Sequence, residues 1–162
     1  MNDDIRAMEN LNIELRLPLV SDLDFILEVE NNKENERYTT LSKPSPEDVL
    51  AFLNSGQDYK LNGQLRLIVT VNKISAGIID IFNAAPSGRK AETGIIIIPG
   101  FRKKGVAKMA YKLFFLVCKH LNILEIEAIV NRDNFQANLL FTALGFALEK
   151  KANSQIHYLK RL

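Results

Sequence analysis

Between Ile95 and Tyr111 the chain reads IIIIPGFRKKGVAKMAY. An apolar run is followed by a turn in which Gly100 and Gly105 flank three successive cations, Arg102, Lys103 and Lys104, and then by apolar residues at helical spacing. A strand, a glycine turn and a helix start make an anion site, because the first amides of a helix lack intrahelical partners and the helix dipole favours negative charge there. Gly105 lets the backbone approach a phosphate closely, and the cations surround it. Two phosphate motifs fit poorly. Gly100 and Gly105 have P-loop spacing, but Val106 and Ala107 stand where the phosphate lysine and the magnesium hydroxyl belong. A dinucleotide turn needs GxGxxG in a parallel unit, and this junction follows an antiparallel-looking meander.

Carboxylates are the second group with chemistry to offer. Glu28, Glu30, Glu34 and Glu36 fall between Phe25 and Tyr38, a cluster that suits a cationic amine or simply makes a solvated face. In LEIEAIV, Glu125 and Glu127 share one strand face. Cys118 lies beside the apolar stripe of its helix, the place of a buried inert thiol. His120 and His157 with a single cysteine are too few donors for a protein-built zinc site, so no metal is expected.

The elements that position these groups follow from periodicity. NIELRLP alternates as a half-buried strand ending at Pro18, and Ser21 precedes a helix in DLDFILEVE. A second helix is expected in SPEDVLAFLNSG, capped by Ser45, with Pro46 first and Gly56 closing it. NNKENERYTTLSKP, between them, reads as a loop. From Gln64, QLRLIVTV, ISAGIIDIF and ETGIIIIP make a meander of three antiparallel strands, the third apolar on both faces and so inside the sheet. Val106, Ala110, Leu113, Phe114, Val117 and Leu121 predict a long helix, and LEIEAIV the next strand. DNFQANLLFTALGF predicts a helix stopped at Gly145, with Leu139, Leu140 and Leu144 as its apolar positions; FALEKK and QIHYLKRL predict a closing hairpin.

A chain of 162 residues suits one domain, 1–162, with a real core. Its 47% apolar and 25% charged residues have the balance of a soluble globular protein. A net charge of +2 steers it neither to nucleic acid nor to a membrane surface. The acidic start MNDDIRAMEN, a single cysteine and the lack of any run near the roughly 18 to 20 apolar residues of a membrane span point to a cytoplasmic location.

RKKGVA resembles the Q/R-x-x-G-x-G/A loop of the GNAT acyltransferases, with an apolar strand before it and a long helix after it. DNFQANLLFTALGF resembles that family's N-x-x-A-x-x-L-Y-e-x-x-G-F segment, and AETGIIIIPGFRKKGVA is similar to a pattern of the branch that holds the spermidine and ribosomal-protein N-acetyltransferases. The resemblance spans nearly the whole chain. It implies an α+β fold with a mixed, mostly antiparallel sheet of about seven strands flanked by about four helices, and transfer of acetyl from acetyl-CoA to a primary amine. The amine would belong to a small molecule (polyamine-like or an amino sugar) or to a protein N-terminus. A catalytically silent acyl-CoA-binding module is the alternative, and a nucleic-acid binder built on the RKK turn lacks an aromatic stacking platform. A monomer or homodimer is expected.

By the same resemblance the cofactor's pyrophosphate lies on Arg102, Lys103, Lys104, Gly105, Val106 and Ala107, and its pantetheine arm runs beside the backbone of Ile95, Ile96 and Ile97. That arm needs a bulge or splay between GIIII and LEIEAIV, since only a diverging neighbour leaves strand amides free. Asn134 matches the family's asparagine near the cofactor, or serves only as a helix cap. Amine attack on the thioester requires loss of a proton, and the amide of Ile97 is placed for the resulting oxyanion. Glu92 matches the family's acid for base or amine contact, with Glu127 second, and Glu28 and Glu30 are the acceptor-side candidates. Phe141 stands where the family often has a proton-donating tyrosine; Tyr158 is the candidate replacement, and Tyr111 a packing residue.

Overall fold

The computed structural model describes residues 11–34 and 43–162; Glu36 and Tyr38 of the acidic segment lie outside them. The alternating stretch at the start forms β1 (Ile13–Arg16), and the apolar helical stripe after it forms α1 (Leu23–Asn31). Ser21 does not cap α1. It sits in a tight turn, Val20–Asp22, because the Asp22 carboxylate accepts from the Leu19 amide at 2.7 Å and from both terminal nitrogens of Arg16 at 2.7 and 2.8 Å. The Arg16 hydrogen bonds hold the Asp22 carboxyl below the usual carboxylate range. Ser45 does cap α2 (Pro46–Ser55), accepting from the Asp48 amide at 3.1 Å while Asp48 reaches back to the Ser45 amide. A one-turn helix that the sequence pattern did not reveal, α3 (Tyr59–Asn62), is nucleated by Asp58, whose side chain accepts from two following amides.

The meander then runs β2 (Leu65–Val71), β3 (Ile74–Phe82) and β4 (Lys90–Ile97), followed by α4 (Val106–His120), β5 (Glu125–Asn131), α5 (Phe135–Ala143), β6 (Ala147–Ala152) and β7 (Gln155–Arg161). The seven strands make one sheet in the order β1-β2-β3-β4-β5-β7-β6. Every pair is antiparallel except β4 with β5, which are parallel. The α+β architecture and the central place of β4 are as expected. The last strand, however, inserts between β5 and β6.

Each face of the sheet has its own core. On one, Ala91, Ile97, Ile126, Ala128 and Val130 pack against Val106, Ala110, Tyr111 and Phe114 of α4, Phe141 of α5 and Leu144 just after it. On the other, Ile68 and Ile78 pack against Ile26, Val29 and Val49 of α1 and α2, with Ile96 and Ile98 at the margin. One half-buried charge ties the second layer down. Arg66 on β2 makes a two-pronged pair with Asp80 on β3 (2.9 and 2.8 Å) and reaches Glu30 of α1 at 2.7 Å. Burial alone would lower the Arg66 pKa; the two carboxylates outweigh it and raise it.

Gly77 on β3 lies against the end of β4, where a Cβ would run into the Ile96 carbonyl oxygen and come within 2.7 Å of the Ile97 side chain. Backbone oxygen cannot rotate away as a side chain can. Gly77→Ala is therefore expected to push β4 outward and to cost about 1–3 kcal/mol, read as a lower urea midpoint at unchanged m-value.

Candidate active site

The parallel ladder between β4 and β5 is short. It pairs Lys90, Ala91 and Glu92 with Glu125, Ile126 and Glu127, and stops, while β4 continues to Ile97 and β5 to Asn131. Both strands stay fully paired on their outer sides, β4 to β3 as far as Ile97 and β5 to β7 as far as Asn131. The two halves of the sheet thus part like a V whose apex is the Glu92–Glu127 rung. The Ile98 amide donates to the Ala76 carbonyl, so by antiparallel alternation the peptide groups of Ile96 and Gly94 turn toward β3 and those of Ile95 and Ile97 toward the opening. Among the described residues no strand pairs with that edge beyond Glu92.

At the wide end of the V stands the basic loop. Lys103 and Gly105 both have positive φ, +59° and +75°. Those two left-handed residues fold the turn so that α4 begins at once after Gly105, with Val106 buried beneath it. The intrahelical ladder starts with the Met109 amide on the Gly105 carbonyl, so the amides of Gly105, Val106, Ala107 and Lys108 come before the first intrahelical bond. Arg102 Nε donates to the Ile97 carbonyl at 2.7 Å, tying the loop to the open edge of β4, and its guanidinium lies 3.8 Å from Glu34. Lys104 Nζ folds back to the Gly100 carbonyl at 2.9 Å. Open-edge amides, helix-start amides and clustered cations form one continuous line, a donor set that fits an extended, amide-bearing arm ending in a pyrophosphate.

At the apex two carboxylates face each other across the last rung. Glu92 and Glu127 both project on the α1/α2 face, because the alternate residues Ala91, Ile126 and Ala128 fill the opposite core. Glu92 Oε1 accepts from Asn83 at 3.2 Å. Glu127 is held more firmly: one oxygen is 3.0 Å from His157 Nδ1 and the other 3.6 Å from Lys90 Nζ. The α1 candidates lie apart from this pair: Glu30 is engaged by Arg66 and Glu28 is exposed on the outer side of its helix. A separate concavity of about 490 Å³, lined by Tyr59, Lys60, Arg89 and Leu121 among others, includes none of these residues.

The far side of the opening is set by α5. Asn134 caps it, its side-chain oxygen accepting from the Ala137 amide at 3.2 Å. Phe141 is 4% exposed and sits in an aromatic cluster, 5.4 Å from the Tyr111 ring, 5.0 Å from Phe146 and stacked on Tyr158 at 6.0 Å. Tyr111 is buried with its hydroxyl 3.2 Å from Thr93, and burial pushes its pKa up; burial likewise pushes the Cys118 thiol up to about 12. Tyr158 projects into this same layer, opposite the face that carries Glu92 and Glu127, and donates to Asn138 Oδ1 at 2.7 Å. Asn138 in turn donates to the carbonyls of Asn131 and Asn134, fastening the end of β5 to the start of α5. No local motif marks Asn138 or His157; their roles appear only once β7 is laid beside β5. Tyr158→Phe, which deletes one hydrogen bond of this chain, is expected to lose about 1 kcal/mol of stability by chemical denaturation.

Residues 12–147 match the family described as Acetyltransferase (GNAT) domain. The chain is 28% identical over 144 residues to the spermidine N(1)-acetyltransferase of Escherichia coli K12, covering 85% of this chain and 74% of that one. Among solved structures it is similar to the spermidine N-acetyltransferase of Vibrio cholerae in complex with CoA and spermine (TM-score 0.77, 22% identity, 92% of this chain and 95% of that one). It also superposes on the ribosomal-protein-S5-alanine acetyltransferase of Vibrio fischeri (TM-score 0.79, 18% identity, 92% of each chain). With a family match over most of its length and the parted strands in place, the chain belongs to the GNAT acetyltransferases and transfers acetyl from acetyl-CoA to an amine.

Proposed function

We propose that the acceptor is a small polycationic amine of the polyamine kind, and that it enters from the α1/α2 face to meet Glu92 at the apex of the V. The observation that carries this reading is the rung itself: two carboxylates side by side, on the face left open, where the two strands begin to part. Paired negative charge at the mouth of a cleft selects for a cation and orients its amine. Glu30 and Glu28, on α1, contribute to the negative field of that side, and the likeness to spermidine acetyltransferases supports the same substrate class.

Acetyl-CoA, as co-substrate, supplies an acetyl group activated as a thioester. The amides from Gly105 to Lys108 would hold its pyrophosphate, with Arg102, Lys103 and Lys104 as counter-charge. The amides of Ile95 and Ile97 turn into the opening, where one would take the pantetheine arm and the other the carbonyl oxygen as it gains charge. Ile96 offers its side chain but not its backbone, which faces β3. Asn134 uses its side-chain oxygen as a cap, so the amide nitrogen is the half that would reach the arm. Phe141, packed against three rings, closes the floor of the α5 side and gives no proton; Tyr158 spends its hydroxyl hydrogen on Asn138. The departing thiolate, an ordinary thiol of pKa ~8.5 once protonated, takes its proton from water or from the newly attached nitrogen.

Gly105→Glu places a side chain at φ +75° and a negative charge in the pyrophosphate seat. It is expected to weaken acetyl-CoA binding at least about a hundredfold by calorimetry; unchanged affinity in a folded variant rules out the loop. The acceptor is tested by thiol release with spermidine, spermine, glucosamine and an alanine-terminated peptide. The polyamines are expected to lead in kcat/KM, and Glu92→Gln to lower that value about a hundredfold or more while leaving acetyl-CoA affinity intact. Preference for the sugar or the peptide would replace the polyamine reading.

A further inference from the structure

We propose that His157, held by Glu127, takes the proton from the acceptor's ammonium group, directly or through one water, and that Glu92 binds the ammonium rather than deprotonating it. This rests on the acceptor reading above and divides labour within the same site.

The placement comes from register. His157 on β7 lies opposite Ile129 on β5, two residues past the Glu92–Glu127 rung and therefore level with the opening rather than with the closed ladder. Its side chain projects on the acceptor face, because its neighbours Ile156 and Tyr158 pack into the opposite core. Ile129 beside it is 38% exposed, so β5 is uncovered at this level. The His157 and Glu127 side chains are only 13% and 17% exposed, which fixes the pair in place.

The roles follow from which oxygens are occupied. Glu127 uses one oxygen on His157 Nδ1 and the other on Lys90, so it is a poor acceptor for a further proton. A carboxylate at Nδ1 keeps the hydrogen on that nitrogen and leaves Nε2 as the basic position. Among the described residues Glu92 accepts a side-chain hydrogen bond from the neutral amide of Asn83 and from no cation, and a carboxylate in that state attracts an ammonium. Imidazole as a class is also more basic than a carboxylate, so an ammonium passes its proton to it less steeply uphill. The charged groups around His157 are Glu127 and Glu125 of β5, the latter paired with Arg161, exposed Lys150 directly across on β6, and Lys90 and Glu92 of β4. The step balances. The ammonium gives one proton to His157, its lone pair forms the carbon–nitrogen bond, and the carbon–sulfur bond breaks with its electron pair going to the CoA sulfur. The second nitrogen proton goes to that thiolate, and His157 releases its own to solvent.

The test measures kcat/KM for spermine by thiol release from pH 5.5 to 9 for the wild type, His157→Gln, His157→Ala and Glu127→Gln, with acetyl-CoA affinity by calorimetry. His157→Gln is expected to fall about a hundredfold with unchanged acetyl-CoA affinity and to lose the ascending acid limb of the profile, and added imidazole is expected to restore part of the His157→Ala rate. A His157→Gln variant with near wild-type kcat/KM and the same limb overturns the proposal while leaving the acceptor reading intact. A wild type that releases no thiol with any polyamine overturns both. Should the variants not fold, the titration of His157 followed by NMR in the wild type, assigned with His120→Gln, decides. A midpoint within about one pH unit of the acid limb supports the proposal, and a larger gap overturns it.

Discussion

A hydrogen-bond ladder that stops after three rungs is the constraint on which this protein turns. Strands in a sheet satisfy their amides by pairing, and a strand released on one side while fully paired on the other presents a row of fixed, unsatisfied donors. Here β4 is released at Glu92 and stays anchored to β3 through Ile97. The amides of Ile95 and Ile97 are held by a sheet rather than by a loop, so in the proposed role they would meet developing charge without having to reorganise. Everything around them serves to keep the two halves apart: Gly77 lets β3 hug β4, Arg102 ties the loop to the Ile97 carbonyl, and the Tyr158–Asn138 chain clamps β5 to α5.

The two faces of the sheet divide the work. The α4/α5 face carries the large aromatic side chains and no apex carboxylate, and it gives stiffness. The α1/α2 face has a smaller core, anchored by Arg66 between Asp80 and Glu30, and carries the polar groups Asn83, Glu92, Glu127 and His157. Substituting phenylalanine for tyrosine at 141 is intelligible in this division. The ring belongs to the structural layer and is enclosed by Tyr111, Phe146 and Tyr158, so packing decides what fits there.

Much of this was legible from residue order alone. Periods of two and of 3.6 mark most of the strands and long helices, and Ser45, Pro46 and Gly56 delimit α2 within a residue. The basic turn with Gly105 marks the start of α4 because its chemistry is local. What stayed hidden depends on partners far away in sequence. Asp22 rather than Ser21 organises the entry to α1 because Arg16 and the Leu19 amide converge on it. Leu139 has helical spacing yet is 67% exposed, because α5 turns Ala137, Leu140 and Phe141 to the core instead. Glu127 reads as the second-choice acid after Glu92, and its partner His157 becomes visible only when β7 is laid beside β5.

The insertion of β7 between β5 and β6 has a thermodynamic consequence. Strand β6 joins the sheet only through β7, and β7 pairs only with β5 on its other side, so the ladder joining the hairpin to the sheet is a single seam, backed by the packing of Tyr158 on Phe141. Such a seam can open as a unit at a free energy below that of global unfolding. Opening would separate His157 from Glu127 and Tyr158 from Asn138 while β1 to β4 remain paired.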